Sequence, residues 1–227
     1  MTPALAHVES WIFDLDNSLY PHSCNLFELV DRRIGQYVEE LLGLDPEAAR
    51  KVQKDYFHAH GTTLAGLMAD HDIAPGHFLD FVHDIDLARV TADPQLVAAM
   101  DALPGRKFIF TNAGEDYARR VLDRLGLANA FDGLHDIHAM NYVPKPDPGG
   151  YRAICAAHDI DPHRALFADD MVRNLAPAKA IGITTLWVDN GSEQGPEAAP
   201  VELPDFVDYR TSSIAGWLRE MLGETVA

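Results

Sequence analysis

The chain of 227 residues has only two cysteines, a shortage of basic residues and no long apolar run. Two cysteines in a chain of this length do not make a disulfide framework, so the sequence favours a reducing compartment. No apolar run approaches the roughly 20 residues that cross a bilayer. The first residues, MTPALAHVES, lack the basic and apolar segments of a signal peptide. We therefore expect a cytoplasmic protein that does not associate with membranes.

The charge balance excludes further classes of partner. The chain has 18 lysines and arginines against 35 aspartates and glutamates, which gives a formal net charge of -17. A field of that sign repels polyanions, so neither duplex nucleic acid nor an anionic membrane is an expected partner. A small phosphorylated or carboxylated substrate would need a local cation, either a metal ion or a positioned lysine or arginine.

Four short and almost wholly apolar stretches predict the buried strands of a parallel sheet. They are WIFDLD from Trp11, KFIFTN from Lys107, RALFADD from Arg164 and TTLWVDN from Thr184. Amphipathic helical patterns follow them, including one that Gly126 ends and one that Ser212 begins. The alternation predicts an α/β fold, with a Rossmann-like parallel sheet and helices on both faces, whose ligands bind at the carboxyl ends of the strands.

The segment between the first two strands breaks this alternation, since it shows helical periodicity and no convincing strand. Apolar residues recur every four positions from Leu26 to Leu42, and Gly43 follows as a stop. Further helices are expected at 46–58, 63–71 and 75–84. We therefore predict a small all-helical cap domain over residues 21–91, inserted after the first strand, and a core domain made of residues 1–20 and 92–227.

Polar side chains stand where the predicted core strands end. They are Asp14 and Asp16, Thr111 and Asn112, and Asp169 and Asp170, with Lys145 in the loop NYVPKPDP. Because parallel strands end at the same edge of a sheet, these groups should converge on one crevice. Four carboxylates so close together repel one another unless a divalent cation binds, and ligands that are all oxygen favour Mg²⁺.

Each of these residues also has an ordinary structural explanation. The aspartates could form a solvated turn, Thr111 and Asn112 could cap a helix, and Lys145 could lie on the surface. A second Asp-x-Asp sequence, at Asp84 and Asp86, lies in the helical segment and is interpreted as part of the cap. Only the order of the four motifs favours catalysis over these alternatives.

The same motifs resemble those of the haloacid dehalogenase-like hydrolase superfamily. The resemblance rests on DLDNS at Asp14, TN at Thr111, Lys145 before a proline, and ADD ending at Asp170. Four longer segments are similar to the pyrimidine 5′-nucleotidase branch: FDLDNSLYPHSCNLF, YFHAHGTTLAGLM, FLDFVHDIDL and GRKFIFTNAGEDYARRVL. One departure is Asn174, where many relatives carry an acid four residues after the metal-binding aspartate.

The resemblance implies a Mg²⁺-dependent phosphomonoesterase that works through an aspartyl-phosphate. Asp14 would be the nucleophile, and Asp16 would act as general acid and then general base. The metal ligands would be the Asp14 carboxylate, the Asp16 main-chain carbonyl and the Asp170 carboxylate, with Asp169 supporting the metal's waters. Thr111, the Asn112 amide and Lys145 would bind the phosphoryl group.

By the same resemblance the substrate is a small phosphate monoester, a nucleoside 5′-monophosphate with a pyrimidine base. The candidates for recognising this substrate are Tyr20, His22, Thr62 and Thr63. The alternatives are a phosphatase for a sugar phosphate or phosphoglycolate, a haloacid dehalogenase, and a non-catalytic binding domain on the same fold. Dehalogenation needs no Mg²⁺ and no proton on the leaving group, so Asp16 and the pair Asp169 and Asp170 argue against it. Apart from the resemblance, the sequence predicts neither the oligomeric state nor the base preference.

Overall fold

The computed structural model describes residues 5–192 and 203–223, and within them six strands form one parallel sheet. The strands are β1 (Ser10–Phe13), β2 (Arg106–Phe110), β3 (Gly133–His135), β4 (Ala165–Asp169), β5 (Thr184–Val188) and β6 (Tyr209–Thr211). Their order across the sheet is β3-β2-β1-β4-β5-β6, so β1 lies between β2 and β4. The four predicted strands are confirmed as β1, β2, β4 and β5. The two strands at the edges of the sheet were not predicted.

Helices fill the connections between these strands. They are α1 (Leu26–Leu42), α2 (Pro46–His60), α3 (Thr63–Asp70), α4 (Pro75–His83), α5 (Pro94–Ala102), α6 (Glu115–Arg124), α7 (Pro148–Ala157), α8 (Leu175–Ala180) and α9 (Ile214–Leu222). The side chain that caps α9 is Ser213 and not the predicted Ser212, because the Ser213 hydroxyl accepts the main-chain N–H of Gly216 at 3.3 Å.

Side chains of each core strand point alternately to the two faces of the sheet. In β1, Trp11 and Phe13 pack in the cluster that contains residues of α5, α6 and α9. Ile12, between them, packs in the cluster on the opposite face, which contains residues of α7 and α8. Helices therefore cover both faces of the sheet, which confirms the predicted α/β, Rossmann-like fold class.

Helices α1 to α4 form a helical insert (residues 26–83) between β1 and β2, and they pack on one another. Their bounds agree with the sequence pattern within two residues. Gly43 ends α1 in the left-handed conformation, with φ 63°, as the C-terminal cap of a helix requires. The division of the chain into a cap domain and a core domain at residues 21 and 91 stays a prediction. In the described part of the chain, no helix has the length and apolar character to cross a membrane.

Candidate active site

Three carboxylates meet at the carboxyl edge of the sheet. Asp14 follows β1, Asp169 ends β4 and Asp170 comes directly after it. The main-chain N–H of Asp14 donates to Ala168 at 2.8 Å, so the pairing of β1 with β4 continues into the site. One oxygen from each of the three carboxylates lies within 4.8 Å of the others, and all three side chains are buried. Adjacent parallel strands are therefore what brings these residues together.

Lys145 supplies the positive charge of this cluster. Its Nζ donates to Asp14 Oδ1 at 2.7 Å, to Asp169 Oδ2 at 2.7 Å and to the carbonyl of Phe110 at 2.9 Å. The side chain is only 2% exposed, so Lys145 is not a surface lysine. Asn112 fixes the loop that carries it: its Oδ1 accepts the Lys145 N–H at 2.8 Å and its Nδ2 donates to the Lys145 carbonyl at 3.3 Å.

Burial and the charges of neighbouring groups shift the pKa values of these aspartates and of Lys145. Burial raises the pKa of Asp14 to about 7, although Lys145 acts in the opposite direction. Burial, and then the charges of Asp14 and Asp169, raise the pKa of Asp170 well above its ordinary value. Burial disfavours the charged form of Lys145, but attraction to the two aspartates outweighs it and raises the pKa of this lysine. One ammonium thus faces three buried carboxylates, an imbalance that a divalent cation would offset.

Asp169 is bound more fully than its neighbours. Besides Lys145, it accepts Asn174 Nδ2 at 3.0 Å on each oxygen and the N–H of Met171 at 2.8 Å. Asn174 therefore takes the place of an acidic residue by donating to Asp169, while its own Oδ1 is buried without a hydrogen-bond partner in the described residues. Asp169 therefore holds Lys145 in place. The predicted contact of Asp169 with the waters of the metal stays a prediction.

Two tyrosines hold Asp16. Tyr20 and Tyr117 both donate their hydroxyl protons to Asp16 Oδ1, at 2.7 and 2.9 Å. Within the described residues, neither Asp16 Oδ2 nor the Asp16 main-chain carbonyl has a hydrogen-bond partner. Burial raises the pKa of Asp16, although the two phenols act against it. Asp16 therefore has one oxygen fixed and one free. Tyr20, which we expected to read the substrate, has its hydroxyl bound to this carboxylate.

Thr111 and Asn112 lie at the turn after β2, next to Lys145. Thr111 is buried, and its hydroxyl oxygen accepts the N–H of Ala113 at 3.1 Å. The hydroxyl proton of Thr111 and the main-chain N–H of Asn112 have no partner in the part of the chain that the structure describes. A threonine hydroxyl can accept and donate at once, so both residues keep a donor available for an anion.

The remaining predicted residues belong to the helical insert or its entrance. Thr63 is buried and donates to the carbonyl of Gln53 at 3.0 Å, and the Thr62 hydroxyl caps α3 by accepting the N–H of Ala65 at 3.1 Å. Both threonines therefore stabilise the insert. His22 is half-buried in a short turn, and its Nδ1 has no partner in the described residues.

The sequence did not predict the hydrogen bonds that two further residues make to the site. Ser18 donates to Asp14 Oδ2 at 3.0 Å and accepts the N–H of Asp170 at 3.1 Å, so it joins the ends of β1 and β4. Ser18 is the last residue of the motif DLDNS, but the motif alone did not predict these two contacts. Tyr117 lies in the amphipathic pattern that Gly126 ends, and periodicity does not distinguish a buried phenol from phenylalanine. The signal available was its hydroxyl, which usually finds a partner when the ring is buried.

Known proteins resemble this chain over most of its length. A model of the haloacid dehalogenase-like hydrolase family matches residues 11–182. The chain is 27% identical to phosphoglycolate phosphatase of Rhodospirillum rubrum over 222 residues, which cover 91% of this chain and 89% of that protein. It is 25% identical to phosphate metabolism protein 8 of Saccharomyces cerevisiae over 189 residues, covering 76% of this chain and 59% of the yeast protein. The chain therefore spans less than two thirds of the yeast relative.

Solved structures share the fold at lower identity. A HAD phosphatase from Thermococcus onnurineus superposes with a TM-score of 0.64 at 18% identity, over 96% of this chain and 100% of that one. L-2-haloacid dehalogenase from Xanthobacter autotrophicus gives a TM-score of 0.58 at 17% identity, again over 96% of this chain and 100% of that one. Both a phosphatase and a dehalogenase have this fold, so the fold does not decide between the two reactions.

Proposed function

The chain belongs to the haloacid dehalogenase-like hydrolase family, and from that premise we propose that it is a Mg²⁺-dependent phosphomonoesterase. The observation that carries the proposal is the pairing of two different carboxyl groups at one strand end. Asp14 is buried against Lys145, whereas Asp16 is held by two phenols and keeps one oxygen free. A nucleophile and a proton donor need such unlike environments.

In the proposed reaction Asp14 attacks phosphorus. Lys145 and Ser18 each bind one of its oxygens, at 2.7 and 3.0 Å, and so fix the plane of the carboxylate. Attack forms an aspartyl-phosphate and breaks the bond between phosphorus and the leaving oxygen. The hydroxyl of Thr111 and the main-chain N–H of Asn112 donate to the phosphoryl oxygens as their negative charge grows.

Asp16 moves the proton in both halves of the reaction. Its free Oδ2 protonates the leaving oxygen, and the resulting carboxylate then takes a proton from the water that attacks the aspartyl-phosphate. The phenols of Tyr20 and Tyr117 keep Oδ1 in place throughout, at 2.7 and 2.9 Å. Hydrolysis returns Asp14 as a free carboxylate and Asp16 as an acid.

The acidic cluster suits the metal that this reaction needs. Asp14, Asp170 and the main-chain carbonyl of Asp16 would hold Mg²⁺, and three buried carboxylates balanced by one lysine leave room for its two positive charges. When bound, the ion would shield the charge of the phosphate from that of the nucleophile.

We propose a nucleoside 5′-monophosphate as the substrate, supported by the four segments that are similar to the pyrimidine 5′-nucleotidase branch. The second candidate is a phosphatase for phosphoglycolate or a sugar phosphate. It is favoured by the 27% identity to phosphoglycolate phosphatase of Rhodospirillum rubrum. The two candidates share every step above and differ only in the group that leaves.

Phosphate release from a panel of nucleotides, sugar phosphates and phosphoglycolate, with Mg²⁺ and with chelator, tests the proposal. We expect chelator to abolish release, and Asp14→Asn to abolish turnover while ligand binding persists. The matched control is Asp86→Asn, which changes the second Asp-x-Asp sequence, where Asp86 is exposed and accepts the N–H of Ala88. Activity that persists in chelator would overturn the metal-dependent mechanism, and release of halide from a haloacid without phosphatase activity would favour the dehalogenase.

A further inference from the structure

An open cavity of about 670 Å³ lies between α4 of the helical insert and the start of α6. Its walls come from the end of α4, the first turns of α6 and the loop after β3. This volume is within the range of about 300–1,000 Å³ that small-molecule sites occupy. Tyr117, which donates to Asp16, forms part of the wall. Because Asp16 protonates the leaving oxygen in the proposed reaction, the leaving group would lie near Tyr117, and Tyr117 connects the site to this cavity.

Among the described residues, five carboxylates and one guanidinium, that of Arg120, line the cavity. The carboxylates belong to Asp80, Asp84, Glu115, Asp116 and Asp136. Glu115 is paired with Arg119, and Asp136 accepts main-chain N–H groups of Glu115 and Ala139. The other three are exposed, and none has an ion pair or hydrogen bond within residues 5–192 and 203–223. The cavity therefore has a negative field.

His83 contributes a polar ring to the wall of this cavity. The residue is 8% exposed and lines the cavity, and its ring stacks on Tyr117 with 4.2 Å between centroids and 13° between planes. Its ring nitrogens make no hydrogen bond to the described residues. Burial, and then the charge of Arg120, lower the pKa of His83 to about 4, so the ring is neutral near pH 7. A neutral imidazole offers one donor and one acceptor, which suits a hydroxyl or amide group and gives no charge to attract a carboxylate.

We propose that this cavity receives the leaving group and selects phosphate monoesters whose leaving group is uncharged or cationic. Leaving groups that carry a carboxylate or a second phosphate are disfavoured by the exposed carboxylates of Asp80, Asp84 and Asp116. The inference rests on the proposed phosphomonoesterase activity. Within that activity, it favours polyhydroxyl leaving groups such as a nucleoside over an anionic one such as glycolate.

Three substrates of nearly equal size isolate the charge of the leaving group. Glycol phosphate, ethanolamine phosphate and phosphoglycolate end in a hydroxyl, an ammonium and a carboxylate, respectively, at the same distance from the ester oxygen. At low ionic strength we expect kcat/KM for phosphoglycolate to be roughly tenfold or more below that for the other two. Raising the salt to about 0.5 M should reduce this ratio, because salt screens exposed charges.

The double substitution Asp80→Asn with Asp84→Asn tests the source of the selectivity. Both side chains are exposed, so the variant should fold. We expect it to reduce the ratio of glycol phosphate to phosphoglycolate by about threefold or more at low salt. The ratio cancels any general loss of activity. Asp72→Asn removes one carboxylate from an exposed position outside the cavity lining and should leave the ratio unchanged.

The outcomes separate this inference from the proposed function. Equal kcat/KM for the three esters in the wild type, or an unchanged ratio in the double variant, overturns the selectivity while hydrolysis itself continues. Absence of phosphate release from all three esters and from p-nitrophenyl phosphate, with Mg²⁺ present, overturns the phosphomonoesterase activity and this inference with it. A ratio that falls in the double variant but not in Asp72→Asn supports the cavity as the leaving-group site.

Discussion

The burial of Asp14 predicts that Asp14→Asn makes the metal-free protein more stable although it abolishes turnover. Asp14 has a pKa of about 7 in the fold against 3.8 for an unperturbed aspartate. The difference corresponds to about 4 kcal/mol that the ionised carboxylate costs the folded state. Asparagine avoids that cost and still offers an oxygen to Lys145. Because the cluster relaxes around the new amide, we expect a net gain of roughly 1–3 kcal/mol in the free energy of unfolding.

The pH dependence of this gain follows from the direction of the shift. A folded-state pKa above the unfolded one means that the stability of the wild type falls as pH rises from about 3.8 to about 7. Above pH 7 the loss is complete, so the advantage of Asp14→Asn should be largest at pH 8 and smaller at pH 5. Urea unfolding in chelator at both pH values measures it, with Asp86→Asn as the exposed control. For a chain of this size the gain should raise Tm by roughly 3–10 °C.

Two results would contradict the predicted stability gain of Asp14→Asn. If Asp14→Asn is no more stable than the wild type at pH 8 in chelator, the carboxylates are not in electrostatic conflict. If the gain is the same at pH 5 and pH 8, the conflict does not involve ionisation of Asp14.

Mg²⁺ should stabilise the wild type by about 2.7 kcal/mol at a hundred times its Kd and should stabilise the variant less.

Three further predictions concern the partners of the two central aspartates. Lys145→Met leaves Asp14 and Asp169 buried without their cation, so it should lower the unfolding free energy by about 3–5 kcal/mol at pH 8 in urea, and by less at pH 5. Tyr117→Phe should lower kcat/KM roughly tenfold for alkyl phosphates, whose leaving oxygen needs the proton of Asp16, and much less for p-nitrophenyl phosphate; equal losses on both would contradict the positioning role. Ser18→Ala removes two buried hydrogen bonds and should cost about 1–3 kcal/mol in the same urea assay, whereas a change within 0.5 kcal/mol would show that the hydroxyl does not hold the strand ends together.

The core strands could be predicted because each is a nearly continuous apolar run. Strands β1, β2, β4 and β5 lie between helical layers, so both of their faces are buried and the sequence shows it directly. Strands β3 and β6 are three residues long and are partly exposed at the edges of the sheet. Segments that short have no periodicity to detect, so only their pairing with a neighbouring strand defines them.

The positions of the charged residues could be predicted, but not their partners. Strand ends placed Asp14, Asp169 and Asp170 on one edge, because parallel strands end together. Nothing in the sequence indicated that Asn112 would clamp the loop of Lys145 from 33 residues away. Likewise, Tyr117 reaches Asp16 across 101 residues. Hydrogen bonds of this kind depend on tertiary packing, which local patterns do not contain.

The helical insert shows the same limit for Thr62 and Thr63. Both are candidates for contacting the substrate, and that role stays a prediction. In the structure one caps α3 and the other donates to the main chain of α2. Capping residues and ligand-binding residues are the same residue types, so composition alone does not separate them. His83, which does line the cavity, was not singled out.

The proposed reaction depends most directly on a phosphoryl group becoming attached to Asp14. The measurement is acid quenching during turnover of a ³²P-labelled phosphate monoester with Mg²⁺, followed by borohydride reduction and peptide mapping. We predict label on the protein during turnover, and homoserine in place of aspartate at position 14, with neither in Asp14→Asn. Rapid phosphate release with no labelled protein, or with the label on another residue, would contradict the proposed role of Asp14 as nucleophile.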